Sequence, residues 1–270
     1  MRTPRSETPR AFPAFVALGV TLAGVVAMFG SGLLAPHLGL GLRGQIAFGT
    51  VLLAVPALAA FAVRPSAWHA ALGPAVVGHR TAVLATLLGA ALWVGSIGLM
   101  EVQSLALPPP PAYLEAFRAI HEALKPSGPL DGTVSLVVIA ILPGLCEELV
   151  VRGALLPSLV ERLGPGGAVV GSAVLFAAMH ADPYRFLFTL AIGLVLGLLR
   201  LRTGSLWPPV LAHVTLNALT FAIAPLVDDP SQPYTPQPAL GLLFLAAGAA
   251  VTFPLLRALG RESVPPAPPA

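Results

Sequence analysis

Two adjacent glutamates and an arginine lie within six residues of one another in a segment that is otherwise apolar. They are Glu147, Glu148 and Arg152. An ionised side chain at the centre of a bilayer costs between a few and more than about ten kcal/mol. Such side chains normally face the interior of a helix bundle, pair with one another and belong to functional sites. These three residues are therefore the first candidates for chemistry.

Helical spacing gives the two glutamates different surroundings. Glu148 and Arg152 are four residues apart and share a helix face, so they can form an ion pair. Glu147 points about 100° away from that face and has no local partner, which makes it the candidate general base. The alternative is a buried network that only fixes helix packing. We favour that supporting role for Glu148 and Arg152 and a catalytic role for Glu147.

Two later apolar segments also carry polar side chains at helical spacing. Phe176 and His180 are four residues apart, and so are His213 and Asn217. A lone histidine at a helix end is often only an interfacial residue. A histidine and an asparagine on one face can be hydrogen-bonding glue between helices, but both side chains are also effective donors to a developing oxyanion.

The combination of these residues favours chemistry over packing. A glutamate, two histidines and an asparagine supply a general base, a residue that orients water and two oxyanion donors. This is the inventory required for hydrolysis of an amide. Glu147, His180 and His213 are also plausible zinc ligands. The set contains only two histidines, however, with Asn217 in place of another strong ligand, and no His-Glu-x-x-His helix is present. We therefore expect no cofactor and no metal, with zinc as the alternative.

The composition predicts a membrane protein. The chain has 270 residues, of which 56% are hydrophobic and only 10% charged, and its mean hydropathy is +0.84; soluble domains are about a quarter charged. The net charge of +3 comes from scattered basic residues, which do not indicate a nucleic-acid partner. The single cysteine, Cys146, excludes an intramolecular disulfide, and a thiolate beside two carboxylates is disfavoured as a nucleophile.

The apolar runs predict an all-α, polytopic transmembrane helical bundle. About eight spans are predicted, at residues 11–35, 44–63, 81–100, 133–160, 166–180, 184–199, 206–226 and 239–259. Residues 11–260 then form a single transmembrane domain, with its motif-bearing core at 133–226. A polar tail at 1–10 and a disordered, Pro-rich tail at 261–270 flank it.

The residues between the predicted spans add two expectations. Residues 112–124 have the apolar spacing of a short amphipathic helix, which is either an interfacial connector, as we favour, or a lid. With the N-terminus inside, ten arginines fall on the inner side and four basic residues on the outer side. The positive-inside rule then places both termini in the cytoplasm. The Ala-, Gly- and Pro-rich composition favours a bacterial plasma membrane.

The three motifs, taken together and in this order, resemble those of the CPBP intramembrane protease family, which includes the type II CAAX prenyl endopeptidases. The motifs are Glu147-Glu148-x-x-x-Arg152, Phe176-x-x-x-His180 and His213-x-x-x-Asn217, and the resemblance covers residues 134–221. Val151 stands where the family usually has an aromatic residue.

The resemblance implies a helical bundle whose site lies in a membrane cavity. By carry-over, Glu147 would activate water together with His180. His213 and Asn217 would stabilise the oxyanion, and Glu148 and Arg152 would support the site. The family includes both metalloprotease and metal-free, glutamate-based interpretations, of which we favour the second.

The leading functional hypothesis is an intramembrane endopeptidase that acts on a membrane-tethered protein or peptide. The first alternative is a non-catalytic scaffold or a bacteriocin-immunity-type protein that keeps the polar core as packing. A proton-coupled transporter ranks last, because intramembrane carboxylates can relay protons but the chain has no visible inverted halves.

Overall fold

The computed structural model describes residues 12–75, 77–227 and 235–259 of the chain. Every regular element in these residues is helical, which confirms the predicted all-α class. The predicted tails at residues 1–10 and 261–270 lie outside the described residues.

Eleven α-helices follow one another in the described part of the chain. They are α1 (Ala14–Leu34), α2 (Leu42–Val63), α3 (Ala67–Leu72), α4 (His79–Ala106), α5 (Pro111–Leu124), α6 (Pro129–Leu136), α7 (Leu142–Glu148), α8 (Leu156–Ala178), α9 (Phe186–Thr203), α10 (Trp207–Val227) and α11 (Pro238–Leu259). A 3-10 turn, Ala35–Leu38, follows α1. Two π-helical segments, Val137–Ile141 and Leu149–Leu155, join α6 to α7 and α7 to α8.

Six helical segments of the described chain are long and apolar enough to cross a membrane. They are Ala14–Leu38, Leu42–Val63, His79–Ala106, Pro129–Ala178, Phe186–Thr203 and Pro238–Leu259. The chain is therefore a multi-pass membrane protein, as its composition predicts. α10 occupies the position of the predicted seventh span.

The 50-residue segment Pro129–Ala178 folds back on itself at Gly164. Gly164 has φ 68° and ψ 171°, a left-handed conformation that glycine adopts without a steric penalty. Beyond it, a Cβ on Gly171 would lie 3.7 Å from the side chain of Leu159. Twelve residues of straight helix would separate those positions by about 18 Å. The segment is therefore a helical hairpin, and it accounts for the predicted fourth and fifth spans.

Each π-helical segment ends two residues before a proline. Val137–Ile141 precedes Pro143, and Leu149–Leu155 precedes Pro157. Proline lacks the N–H that an α-helix needs, and its ring clashes with the carbonyl four residues earlier. A widened π turn relieves that clash, and such turns are frequent at functional sites. The acidic pair lies between the two π segments, which spacing arguments for a regular α-helix did not predict.

The connection between α2 and α4 is folded into the bundle. It contains the short helix α3, in which Ala67 and Ala71 are fully buried. Arg200 Nη2 donates hydrogen bonds to the carbonyl oxygens of Ala70 and Ala71, at 2.8 and 3.1 Å. The guanidinium thereby satisfies carbonyls at the end of α3 that have no partner within that helix.

Candidate active site

The structure brings Glu147, His180 and His213 together, although they come from three separate parts of the chain. His180 Nε2 lies 4.0 Å from Glu147 Oε2, and His213 Nε2 lies 3.9 Å from the same oxygen. The three side chains are 14%, 21% and 6% exposed for Glu147, His180 and His213, respectively. Two histidine rings therefore flank one carboxylate oxygen in the interior of the bundle.

The predicted ion pair between Glu148 and Arg152 is present and completely buried. Arg152 Nη1 donates to Glu148 Oε1 at 2.8 Å, and Arg152 Nη2 donates to the carbonyl oxygen of Gly193 at 3.0 Å. His213 Nδ1 lies 2.9 Å from the same Glu148 oxygen. A buried ion pair needs further hydrogen bonds, and Gly193 and His213 supply two of them here. Glu148 Oε2 and Arg152 Nε have no partner among the described residues.

Phe176 is the apolar centre of this network. The Arg152 guanidinium lies 4.4 Å from the centre of the Phe176 ring, within the range of a cation–π interaction. The rings of His180 and His213 meet Phe176 edge-on, at centroid distances of 5.0 and 5.8 Å. One buried phenyl ring therefore fixes the separation of the two histidines and the arginine.

The hydrogen bonds on Nδ1 assign the tautomer of both histidines. His180 Nδ1 lies 2.8 Å from the carbonyl oxygen of Phe176, which can only accept. His213 Nδ1 faces the carboxylate of Glu148, which also accepts while it is paired with Arg152. Each Nδ1 therefore carries a proton, and in the neutral form of each ring the lone pair of Nε2 faces Glu147.

Three hydrogen-bond acceptors consequently converge. They are Glu147 Oε2, His180 Nε2 and His213 Nε2, and no described residue donates a hydrogen bond to Glu147 Oε2. Acceptors that face one another at about 4 Å are satisfied by a donor between them, such as a water molecule. The arrangement is suited to binding and deprotonating water.

Two glycines allow the helices of the site to approach closely. A Cβ on Gly144 would lie 2.6 Å from Val214 Cγ2, so α7 and α10 meet one turn before Glu147 and directly beside His213. A Cβ on Gly193 would lie 3.0 Å from the Cβ of Ala173. That second contact brings the Gly193 carbonyl within reach of Arg152.

The turn that carries His180 is held from outside by residues that the sequence did not single out. Ala181, directly after it, has φ 50°, which alanine seldom adopts. The Tyr113 hydroxyl on α5 donates to Asp182 Oδ2 at 2.7 Å. Gln103 Nε2 on α4 donates to the carbonyl oxygens of Pro183 and Tyr184, at 3.3 and 3.0 Å. Such contacts can hold the strained backbone in place.

A cavity of about 180 Å³ lies beside the reactive groups. Its lining consists of Met28, Phe29, Glu147, Met179 and His180. Met28 and Phe29 belong to α1, so the first helix forms a wall of the site that the motifs alone did not predict.

Asn217 lies on α10, one turn beyond His213, and is half-buried. Among the described residues, no hydrogen bond joins its side chain to Glu147, His180 or His213. Cys146 is half-buried and packs against the main apolar core, which fits a small hydrophobe.

The three candidate zinc ligands do not form a zinc site as they are placed. Atoms bound to one tetrahedral zinc at about 2.0–2.1 Å lie about 3.3 Å apart, whereas the Glu147–histidine distances are 4.0 and 3.9 Å. Within the described residues, no group of three or more His, Cys, Asp or Glu side chains is arranged to hold a metal ion. Independence from metal stays a prediction.

Comparison with known proteins agrees with the resemblance found from the motifs. Residues 129–219 match the family model described as type II CAAX prenyl endopeptidase Rce1-like. A Bacillus subtilis (strain 168) protein, named "Putative membrane peptidase YdiL", is 27% identical over 113 residues. That match covers 42% of this chain and 45% of the relative, so the chain spans less than half of the relative's length. No solved structure matches the chain.

The matched residues contain all three motifs, and with them the whole Glu147–His180–His213 cluster. The family resemblance predicted from the sequence is thereby confirmed for this segment of the chain. α1, with Met28 and Phe29, lies outside it.

Proposed function

We propose that this protein is an intramembrane endopeptidase that hydrolyses a peptide bond in a membrane-associated protein or peptide, using water activated by Glu147. The single observation that carries the proposal is the position of Glu147 Oε2 between His180 Nε2 and His213 Nε2. A carboxylate and two imidazole lone pairs around one point can bind a water molecule and accept its proton.

The proposed reaction begins with water hydrogen-bonded to Glu147. The carboxylate takes one proton from the water as its oxygen attacks the carbonyl carbon of the scissile bond, and His180 orients the water through Nε2. The C–N bond of the resulting tetrahedral adduct then breaks. The amine leaves with the proton that Glu147 held, and the products are one carboxylic acid and one amine.

The developing oxyanion needs hydrogen-bond donors. We assign this role to His213 and Asn217, which are neighbours on α10. His213 can donate from Nε2 only when that nitrogen carries a proton, and Glu148 holds the ring in place through Nδ1. Glu148 and Arg152 thus act through His213 and hold it in place.

The decisive experiment compares membrane proteomes of cells that express the wild-type protein, Glu147→Gln or Glu161→Gln. Glu147→Gln keeps the shape of the side chain and removes the base, so we expect one membrane-associated precursor to accumulate uncleaved. Glu161→Gln changes an exposed glutamate of α8 and serves as the matched control. Cleavage that continues unchanged in Glu147→Gln would refute the proposal and favour a non-catalytic scaffold.

We also propose that the N-terminus, the α2–α4 connection and the α9–α10 connection face the cytoplasm of a bacterial cell. Among the described residues, that end of the bundle carries Arg64, Arg80, Arg162, Arg202 and Arg257. The opposite end carries a mixture of acidic and basic residues on α5 and around it. The positive-inside rule supports this orientation.

A further inference from the structure

We infer that the cavity beside Glu147 and His180 binds one apolar side chain of the substrate, and that the substrate enters this cavity from the lipid, past α1. The inference rests on the proposed peptidase function and adds a substrate class to it. That class is a membrane-embedded segment with a leucine, methionine or phenylalanine next to the scissile bond.

The lining of the cavity determines the kind of side chain that it accepts. Its three residues outside the reactive pair are Met28, Phe29 and Met179, which are all apolar. The volume of about 180 Å³ corresponds to about six water molecules, which is room for one large side chain. Methionine is flexible and polarisable, so two methionines let the pocket adapt to differently shaped apolar groups.

The cavity offers no basic side chain dedicated to binding an acidic substrate residue. Among the described residues that line it, Glu147 and His180 alone are ionisable, and both already have roles in the proposed reaction. An acidic side chain next to the scissile bond would stand against the Glu147 carboxylate in a poorly hydrated site. Such a side chain is therefore rejected by repulsion and by loss of its hydration.

The cavity opens on the side of α1 that faces lipid. Its inner wall, Met179, is 5% exposed, whereas Phe29 at the rim is 51% exposed. Phe29 belongs to a stripe of exposed apolar residues with the spacing of one helix face: Phe15, Leu18, Leu22, Val26, Phe29 and Leu33. It lies five residues before the end of α1, or about 8 Å along the axis, so the opening is at the depth of the hydrocarbon.

A route into the site from the aqueous side, past the turn that carries His180, is obstructed. The turn that carries His180 packs under α5, where the rings of Tyr113 and Tyr184 lie 4.6 Å apart. The Tyr113–Asp182 and Gln103–Tyr184 hydrogen bonds fasten this contact. A substrate that enters past Phe29 does not have to break these hydrogen bonds.

The test uses lipid-anchored fluorogenic peptides, built on the cleavage sequence found by the proteomic comparison and placed in liposomes with the purified protein. The residue before the scissile bond is alanine, leucine, phenylalanine or aspartate. We expect kcat/KM for leucine and phenylalanine to exceed that for aspartate at least about tenfold. The variants Met28→Ala and Met179→Ala enlarge the pocket and should raise the preference for phenylalanine over leucine several-fold. Phe15→Ala, on the same stripe of α1 but outside the cavity, should leave this ratio unchanged.

A second measurement tests the route of entry and does not depend on the methionine variants folding. The photoreactive residue p-benzoylphenylalanine replaces Phe29 or Phe15 in the Glu147→Gln background, and the leucine peptide is the probe. We expect cross-linking at position 29 and much less at position 15.

The outcomes separate the two proposals. Cleavage that survives Glu147→Gln overturns the proposed function and this inference with it. Cleavage that needs Glu147 but shows the same residue preference in the methionine variants and in Phe15→Ala overturns the pocket alone. Equal cross-linking at positions 29 and 15 overturns entry past Phe29.

Discussion

The imidazole of His213 connects the two neighbouring glutamates: its Nδ1 lies 2.9 Å from Glu148 Oε1, and its Nε2 lies 3.9 Å from Glu147 Oε2. Glu148 therefore orients the ring through Nδ1, and the other ring nitrogen, Nε2, faces Glu147. Because adjacent residues on a helix point in different directions, a third residue from another helix is needed to join them.

These different roles of the two glutamates predict a large loss of stability when the charge of Glu148 is removed and a small change when that of Glu147 is removed. Glu148→Gln leaves Arg152 buried without a counter-charge, so we expect the free energy of unfolding to fall by about 3–5 kcal/mol. Glu147→Gln should change stability by less than about 1 kcal/mol, because no Arg or Lys of the described chain forms an ion pair with this carboxylate. Thermal unfolding of the two variants in the same detergent measures the difference. Equal melting temperatures would contradict the assignment of a supporting role to Glu148.

The close approach at Gly144 predicts a rescue. In Gly144→Ala the new Cβ meets Val214 Cγ2 and pushes α7 away from α10, which we expect to cost about 1–3 kcal/mol of stability and to lower kcat. Val214→Ala removes the obstructing methyl group. The double variant should therefore regain most of the lost kcat, and a double variant as slow as Gly144→Ala would count against the contact as the cause.

The hydrogen bond between Tyr113 and Asp182 predicts that α5 positions the His180 turn. We expect Tyr113→Phe to lower kcat by about tenfold, since small displacements of a catalytic group are costly, and to leave KM nearly unchanged. Ile120→Val, a change of an exposed residue elsewhere on α5, is the control. A loss of stability with unchanged kcat would show a purely structural contact.

The same hydrogen bond has a defined pH dependence. Burial, together with the hydrogen bond and charge of Asp182, raises the pKa of Tyr113 above its usual value. A raised folded-state pKa means that the contribution of this bond to stability is complete below the ordinary phenol pKa of about 10. It is lost only as the pH rises through the higher folded-state value. The wild type and Tyr113→Phe should consequently differ in stability by a constant amount throughout the neutral range.

The wide spacing of the three acceptor groups predicts that cleavage does not need a metal ion. Activity of the purified protein should stay within about twofold after treatment with 1,10-phenanthroline or EDTA, because Glu147, His180 and His213 are too far apart to share a zinc ion as placed. A known zinc protease in the same assay is the positive control. Inhibition that added zinc reverses would overturn the metal-free mechanism.

The proposed orientation predicts which surfaces a membrane-impermeant maleimide can label from outside intact cells. In a Cys146→Ser background, Glu115→Cys on α5 should be labelled, and Ser66→Cys beside α3 should be labelled only after the cells are opened. The reverse pattern would invert the topology.

The sequence predicted the features that depend on local spacing. The apolar runs located the helices because each crossing needs about 20 apolar residues, and the spacing of four predicted the Glu148–Arg152 pair. The fold of the α2–α4 connection, the Tyr113–Asp182 contact and the α1 wall of the cavity depend on packing between distant segments. Local periodicity contains no information about such contacts. The π turns did leave a signal, since Pro143 and Pro157 are placed where a regular α-helix cannot continue.

The second arm of the helical hairpin, which runs from the Gly164 bend to the turn that carries His180, is short and determines how far His180 lies from that bend. Residues 165–178 span only about 20 Å at the rise of an α-helix, whereas the hydrocarbon core is about 30 Å thick. On the proposed orientation, His180, two residues beyond that arm, therefore lies within the hydrocarbon layer, at a fixed distance from the Gly164 bend. For a substrate of the proposed peptidase that is anchored at the opposite leaflet, we expect the bond presented to Glu147 to change when the membrane becomes thicker or thinner.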